Sequence, residues 1–163
     1  MHRFVDWLAQ TSLSLAVQTN EWVIPTVQSI HIVAIGVALG SVFMVTLRVL
    51  GWAARDQSLA ETSARFGPWL TGALIVLLAT GIVMIIGEPA RELLALSFWL
   101  KMVLVVIGTA AAVMFQRAVR HREPSSIRMQ AVVTLLIWLG IVVLGRLIAY
   151  DHVWGSWSAA LKG

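Results

Sequence analysis

Charge is almost absent from four long stretches of this 163-residue chain. Trp22 to Leu47 holds no acidic or basic residue and one histidine, His31, and Phe66 to Gly87 holds no ionisable group at all. Leu93 to Gln116 contains only Lys101, and Met129 to Tyr150 only Arg146. The runs are 26, 22, 24 and 22 residues long. About 20 apolar residues carry a helix across about 30 Å of hydrocarbon, so each run is long enough to span. Backbone groups in lipid must be satisfied internally, which leaves helices or a closed barrel. Barrel strands alternate over about 10 residues, and these runs do not. The expected fold is therefore all-α: one domain over residues 1–163, a four-helix transmembrane bundle. Its helices are expected at about 22–50, 66–87, 93–117 and 128–150.

Composition agrees: 59% of residues are apolar and 12% charged, with a mean hydropathy of +0.85. Soluble domains hold about 45–50% and about 25%. Cysteine is absent, which excludes disulfides, thiolate metal centres and c-type haem attachment. No nucleophile–base pair or phosphate-binding glycine loop is present, so hydrolytic and nucleotide chemistry have no candidate residues.

The net charge of +4 is a topology signal rather than a nucleic-acid footprint. Arg48, Arg55 and Arg65 surround the first long connection, and Arg117, Arg120, Arg122 and Arg128 the third. The opposite side carries Arg3, Arg91 and Lys162 against Asp6, Glu21, Glu88, Glu92 and Asp151. The positive-inside rule puts the basic loops in the cytoplasm and both termini outside. Trp22, Trp99, Trp154 and Trp157 then fall at outer ends, Trp52 and Trp69 at inner ends, and Trp138 mid-span. Residues 1–20 lack the continuous apolar core of a signal peptide. Phe4, Trp7, Leu8 and Leu15 recur at helical spacing instead, which predicts an interfacial helix over about 3–19. The tail from Asp151, with its two tryptophans, reads the same way.

Five polar residues gather in the outer half: Gln28, His31, Thr80, Lys101 and Arg146. Intramembrane ionisable groups are costly and usually face the bundle interior. His31 reads either as a neutral histidine bonded between helices or as a ligand to a metal or haem iron. Lys101 reads as a snorkelling lysine or as an inward one. The face it shares with Val105, Gly108 and Ala112 is small, which favours the inward reading. Arg146 either snorkels or pairs with an anion at the bundle mouth. Gly36, Gly40, Gly72, Gly81 and Gly108 imply room between helices for haem, and the Gly36/Gly40 pair also reads as a seam within the chain or between copies. Met84 and Met102 are soft donors available to Cu(I).

The pattern Pro25-x-x-Gln28-x-x-His31, Gly40, Leu47-Arg48-x-x-Gly51, Phe98-Trp99-Leu100-Lys101 and Gly145-Arg146-Leu147-Ile148-Ala149-Tyr150 resembles an uncharacterised family of small bacterial four-helix inner-membrane proteins. His31, Leu47-Arg48, Pro68 through Gly81 and Trp99-Leu100-Lys101 more distantly resemble the superfamily of copper-resistance D domains and haem-binding protoporphyrinogen oxidase. That likeness implies haem b at His31 and Lys101. The superfamily's tyrosine–histidine and asparagine–glutamate pairs are missing, with Phe115-Gln116 and Met129-Gln130 in their regions, so it does not imply the oxidation itself. Three functions are therefore expected in competition. They are a haem b protein handling electrons with a redox partner at the outer face, a transport or homeostasis factor for copper or another small species, and a cofactor-free accessory subunit.

Overall fold

A computed structural model describes residues 2–121 and 127–148. Among them there are seven helices and no strand: α1 (His2–Ala9), α2 (Ser12–Thr19), α3 (Val23–Leu50), α4 (Leu59–Gly87), α5 (Pro89–Leu93), α6 (Leu96–His121) and α7 (Ile127–Ile148). Four of these, α3, α4, α6 and α7, contain segments long and apolar enough to cross a membrane. Their outward faces carry Ile32, Leu78, Val106 and Leu136, each at least 60% exposed. Large aliphatic side chains left open on every long helix are what a lipid solvent accepts and water does not. The protein is an integral, multi-pass membrane protein whose surroundings are the bilayer.

The element ends follow local chemistry. Gly51 closes α3 in the left-handed region at φ 76°, and its N–H bonds back to the carbonyl of Arg48. The sequence places the start of α4 near residue 66, but the helix begins at Leu59. A capping box is responsible: Ser58 accepts from the Glu61 N–H, and the Glu61 carboxylate accepts from the Ser58 N–H. The first two turns of α4 are thus polar helix that the apolar run does not reveal. The expected single interfacial helix is broken in two at Thr11, whose extended backbone and Oγ1 cap α2.

Helix α3 packs most extensively on α4, then on α7; α6 packs on α7; α4 and α6 touch least of the neighbouring pairs. The bundle is therefore a ring of four with one loose seam. Helices α1, α2 and α5 fold over the end where α3 begins and α4 finishes, which we call the cap end. The other end, carrying Arg48, Arg55 and Arg65, is the arginine end. Cap helix α2 is held by Ser14, fully buried, whose hydroxyl donates to the Ile86 carbonyl at 2.6 Å. It seats on Gly87, where a methyl group would lie 2.8 Å from Val17 and 2.5 Å from Ile24.

The mid-bundle layer is Ala38, Val42, Leu70, Ala73, Ala112, Trp138 and Ile141. One large ring fits there because its neighbours are small. The face Lys101, Val105, Gly108, Ala112 turns inward, and a Cβ on Gly108 would stand 3.0 Å from Ile137 Cγ2 and 3.6 Å from Trp138 Nε1. Gly108 therefore provides close packing rather than room for a ligand. Gly36, Gly40, Gly72 and Gly81 have open space where a Cβ would sit, so the Gly36/Gly40 pair is not a seam within the chain.

Candidate functional site

In the cap-end half, His31 on α3 is 9% exposed and its Nδ1 lies 2.7 Å from Thr80 Oγ1 on α4. The direction of that bond follows from proton counting. A threonine hydroxyl has one hydrogen, and Thr80 directs it at the Val76 carbonyl 2.7 Å away, with Leu77 O at 3.2 Å. With the threonine proton directed there, its oxygen accepts from His31 and Nδ1 carries the proton; the other tautomer would take that proton at Nδ1 instead. In the neutral ring Nε2 is left with its lone pair. Among the described residues Nε2 makes no hydrogen bond.

Lys101 enters from α6, and its stem crosses α7 where α7 has no side chain. A Cβ on Gly145 would meet Lys101 Cε at 3.8 Å and Nζ at 3.9 Å. Its ammonium is near enough to act on both His31 and Glu92. Glu92 sits on α5, outside the spans, and is 9% exposed. Burial pushes its carboxyl above the ordinary value of 4.5, with Glu88 adding to the rise while Lys101 and Arg91 oppose it. Among the described residues no ion pair within 4.0 Å joins Lys101 to Glu92, whereas exposed Arg91 and Glu88 pair at 2.7 Å.

Of the other expected residues, Gln28 is half-buried on α3 and makes no hydrogen bond among the described residues. Arg146 is exposed near the cap end of α7, beside Gly145. Met84 is buried one turn beyond Thr80, and Met102 packs on the Ala95–Phe98 cluster. His152 and the tryptophan-bearing tail lie outside the described residues. Among those described, no group of three histidine, aspartate or glutamate side chains stands close enough to hold a metal ion.

Two open volumes lie along the described helices. A lipid-facing groove of about 630 Å³ runs along α3 and α4 past Val33, Val37, Trp69 and Gly72. A cavity of about 30 Å³ lies in the arginine-end half between Thr46, Ser63, Phe115 and Thr134. His31 and Lys101 line neither. The sequence reading missed Glu92, because an acid in a five-residue turn between spans looks like a surface counter-charge. Its only signal is position, nine residues before Lys101 with Pro89 opening a short helix that turns it under the cap.

Residues 4–151 match a family described as a family of unknown function, DUF6644. No curated protein and no solved structure matches the chain.

Proposed function

The chain belongs to the DUF6644 family, and we propose that it is a haem b protein of a bacterial inner membrane, with His31 Nε2 the iron ligand. The single observation that carries this reading is the His31–Thr80 bond. Ligating histidines almost always donate their second ring nitrogen to an oriented acceptor, which fixes the tautomer and the ring plane. Thr80 stands where such a partner would, 2.7 Å from His31 Nδ1, and its hydroxyl is itself 2.7 Å from the Val76 carbonyl, which supports that role.

The donor set fits the group: one pre-oriented imidazole lone pair, with a lysine whose charge is felt at the same site. Haem bound there supplies one-electron redox chemistry. Lys101 could hold the group in either of two ways, as a second iron ligand when neutral or as a propionate partner when charged. Arg146, exposed near the cap end of α7, suits a propionate at the interface, and Gln28 is a polar group one turn from His31. The α4–α6 pair is the least tightly packed neighbouring pair of long helices, which supports entry from the lipid between them. Seven of the twelve basic residues fall, by sequence, in or beside the first and third long connections, which supports a cytoplasmic assignment for the arginine end and an outer position for the site. Electrons would then be exchanged with a partner at the outer face.

The test is the absorption spectrum of protein purified after expression with ample haem. A Soret band is expected from the wild type, and His31→Ala should abolish it. Thr80→Val should weaken haem affinity by about 10–100-fold, the usual effect of removing an orienting partner. Lys101→Met loses the low-spin spectrum if the amine ligates, and keeps it with weaker retention if the ammonium pairs a propionate. A colourless, iron-free wild type overturns the haem reading.

A second reading is favoured by the burial of His31, which is 9% exposed and already bonded to Thr80. In that case His31, Thr80, Lys101 and Glu92 are a cofactor-free polar cluster that fixes helix register in an accessory subunit. That reading is the one left standing by a colourless protein.

A further inference from the structure

The arginine-end cavity brings four hydroxyls together from three helices: Ser41 and Thr46 on α3, Ser63 on α4 and Thr134 on α7. Ser41 donates to the Val37 carbonyl at 2.7 Å, and Thr46 to Val42 O at 2.9 Å. Both keep acceptor lone pairs free of those bonds. Thr134 differs. It is 3% exposed, it lines the cavity, and its hydroxyl makes no hydrogen bond among the described residues. A helical threonine normally returns its proton to the carbonyl four residues back, as Thr46 and Thr80 do here. A hydroxyl without a partner in apolar surroundings is costly, and four hydroxyl-bearing residues around one pocket are not what a dry membrane core selects.

We infer that this partly open pocket is a water site, holding about two water molecules that take the Thr134 hydroxyl as their anchor and tie α7 to α3 and α4. The inference is independent of any haem at His31, which lies in the other half of the bundle. Size agrees: the cavity measures about 30 Å³, and one water needs about 10–15 Å³ on the same measure. The polar partners agree as well, since a buried water takes 2–4 hydrogen bonds and four hydroxyl-bearing residues line this space. The space is too small for an acyl chain. Direct contact between α4 and α7 is not among the substantial helix pairs, so bridging water supplies a link that side chains do not.

The experiment joins two measurements on purified protein in detergent. Radiolytic hydroxyl footprinting labels side chains beside bound water even when they are buried. Phe66 and Phe115, which line the cavity, should label within a few-fold of exposed Trp52 and lose most of that labelling in Thr134→Val. Thermal unfolding should show a midpoint several degrees lower for Thr134→Val and close to wild type for Thr134→Ser, which keeps the hydroxyl. Unlabelled Phe66 and Phe115 in the wild type overturn the proposal. So does a Thr134→Val midpoint equal to or above wild type, the result for a hydroxyl stranded in a dry void.

Discussion

Among the described residues the cap-end half holds ionisable groups, buried His31 and Glu92 and half-buried Lys101, beside the buried hydroxyls of Ser14 and Thr80, whereas the buried residues of the arginine-end half include the hydroxyl-bearing Ser41, Thr46, Thr62 and Thr134 and no ionisable one. The same four helices build both halves, so the difference lies in what each half is asked to hold. Hydroxyls can satisfy themselves on their own helix, as Thr46 does at Val42 O, and they serve packing at little cost. Imidazole, ammonium and carboxylate cannot. Each needs a partner from another element, and each costs free energy in hydrocarbon until it finds one. The cap end spends three extra helices, α1, α2 and α5, on covering its polar half, whereas the connection from α3 to α4 at the other end is short and has no helix of its own. Charge at the arginine end stays outside: Arg48 binds the Gln57 carbonyl at 2.6 Å across the loop, and Arg65 lies over the Phe66 ring.

The comparison breaks first on orientation, where the expected effect is all or none. A cysteine placed at Ser58, in the arginine-end loop, should resist a membrane-impermeant thiol reagent on intact cells. One at Ser12, at the start of α2 and exposed, should react. Both substitutions are made in a chain with no native cysteine, so the background is silent. Reaction at Ser58 from outside would invert the assignment of the two ends.

A smaller but still large effect is expected at the layer that separates the halves. Gly108→Leu forces a side chain into space where even a methyl group stands 3.0 Å from Ile137. Overpacking of this kind costs about 1–3 kcal/mol or more, so the thermal midpoint in detergent should fall by several degrees. Gly36→Leu is the control, because open space surrounds its Cβ position, and it should change monomer stability little. Equal effects at the two glycines would mean that the inward face of α6 is misassigned.

The spans and the inward face of α6 are legible in the sequence because they depend on quantities that a one-dimensional pattern carries. Charge-free length fixes the spans, and small residues at helical spacing mark the face on which helices meet. The start of α4 was legible only to someone reading Ser58-x-x-Glu61 as a cap rather than looking for the apolar run. The His31–Thr80 bond was beyond reach, since it depends on the relative rotation of α3 and α4. Depth alone gathered Gln28, His31, Thr80 and Lys101, and depth cannot say which two will bond. The open glycines show the same limit. Spacing identifies Gly36 and Gly40 as a pair, but only the packing of α3 shows that the chain itself leaves them uncovered.

The smallest expected effect concerns Glu92, and it sharpens the contrast because a carboxyl is the group the arginine-end cavity does without. Burial raises the Glu92 carboxyl above its ordinary 4.5 against the pull of Lys101 and Arg91, so the folded state prefers it protonated. The sign follows from linkage. A carboxyl bound to its proton more tightly when folded contributes stability that is fully present below its unfolded value. That contribution is lost as pH rises from 4.5 through the raised folded value. Glu92→Gln keeps the shape and removes the charge. Its midpoint should therefore exceed that of wild type by a few degrees at pH 8, and the gain should vanish near pH 4, where wild type is protonated as well. The measurement is a pair of thermal melts at each pH in one detergent. A Gln variant less stable than wild type at pH 8 would mean that the attraction to Lys101 outweighs the burial of the charge, and would make the carboxylate a true counter-ion of the cap-end site.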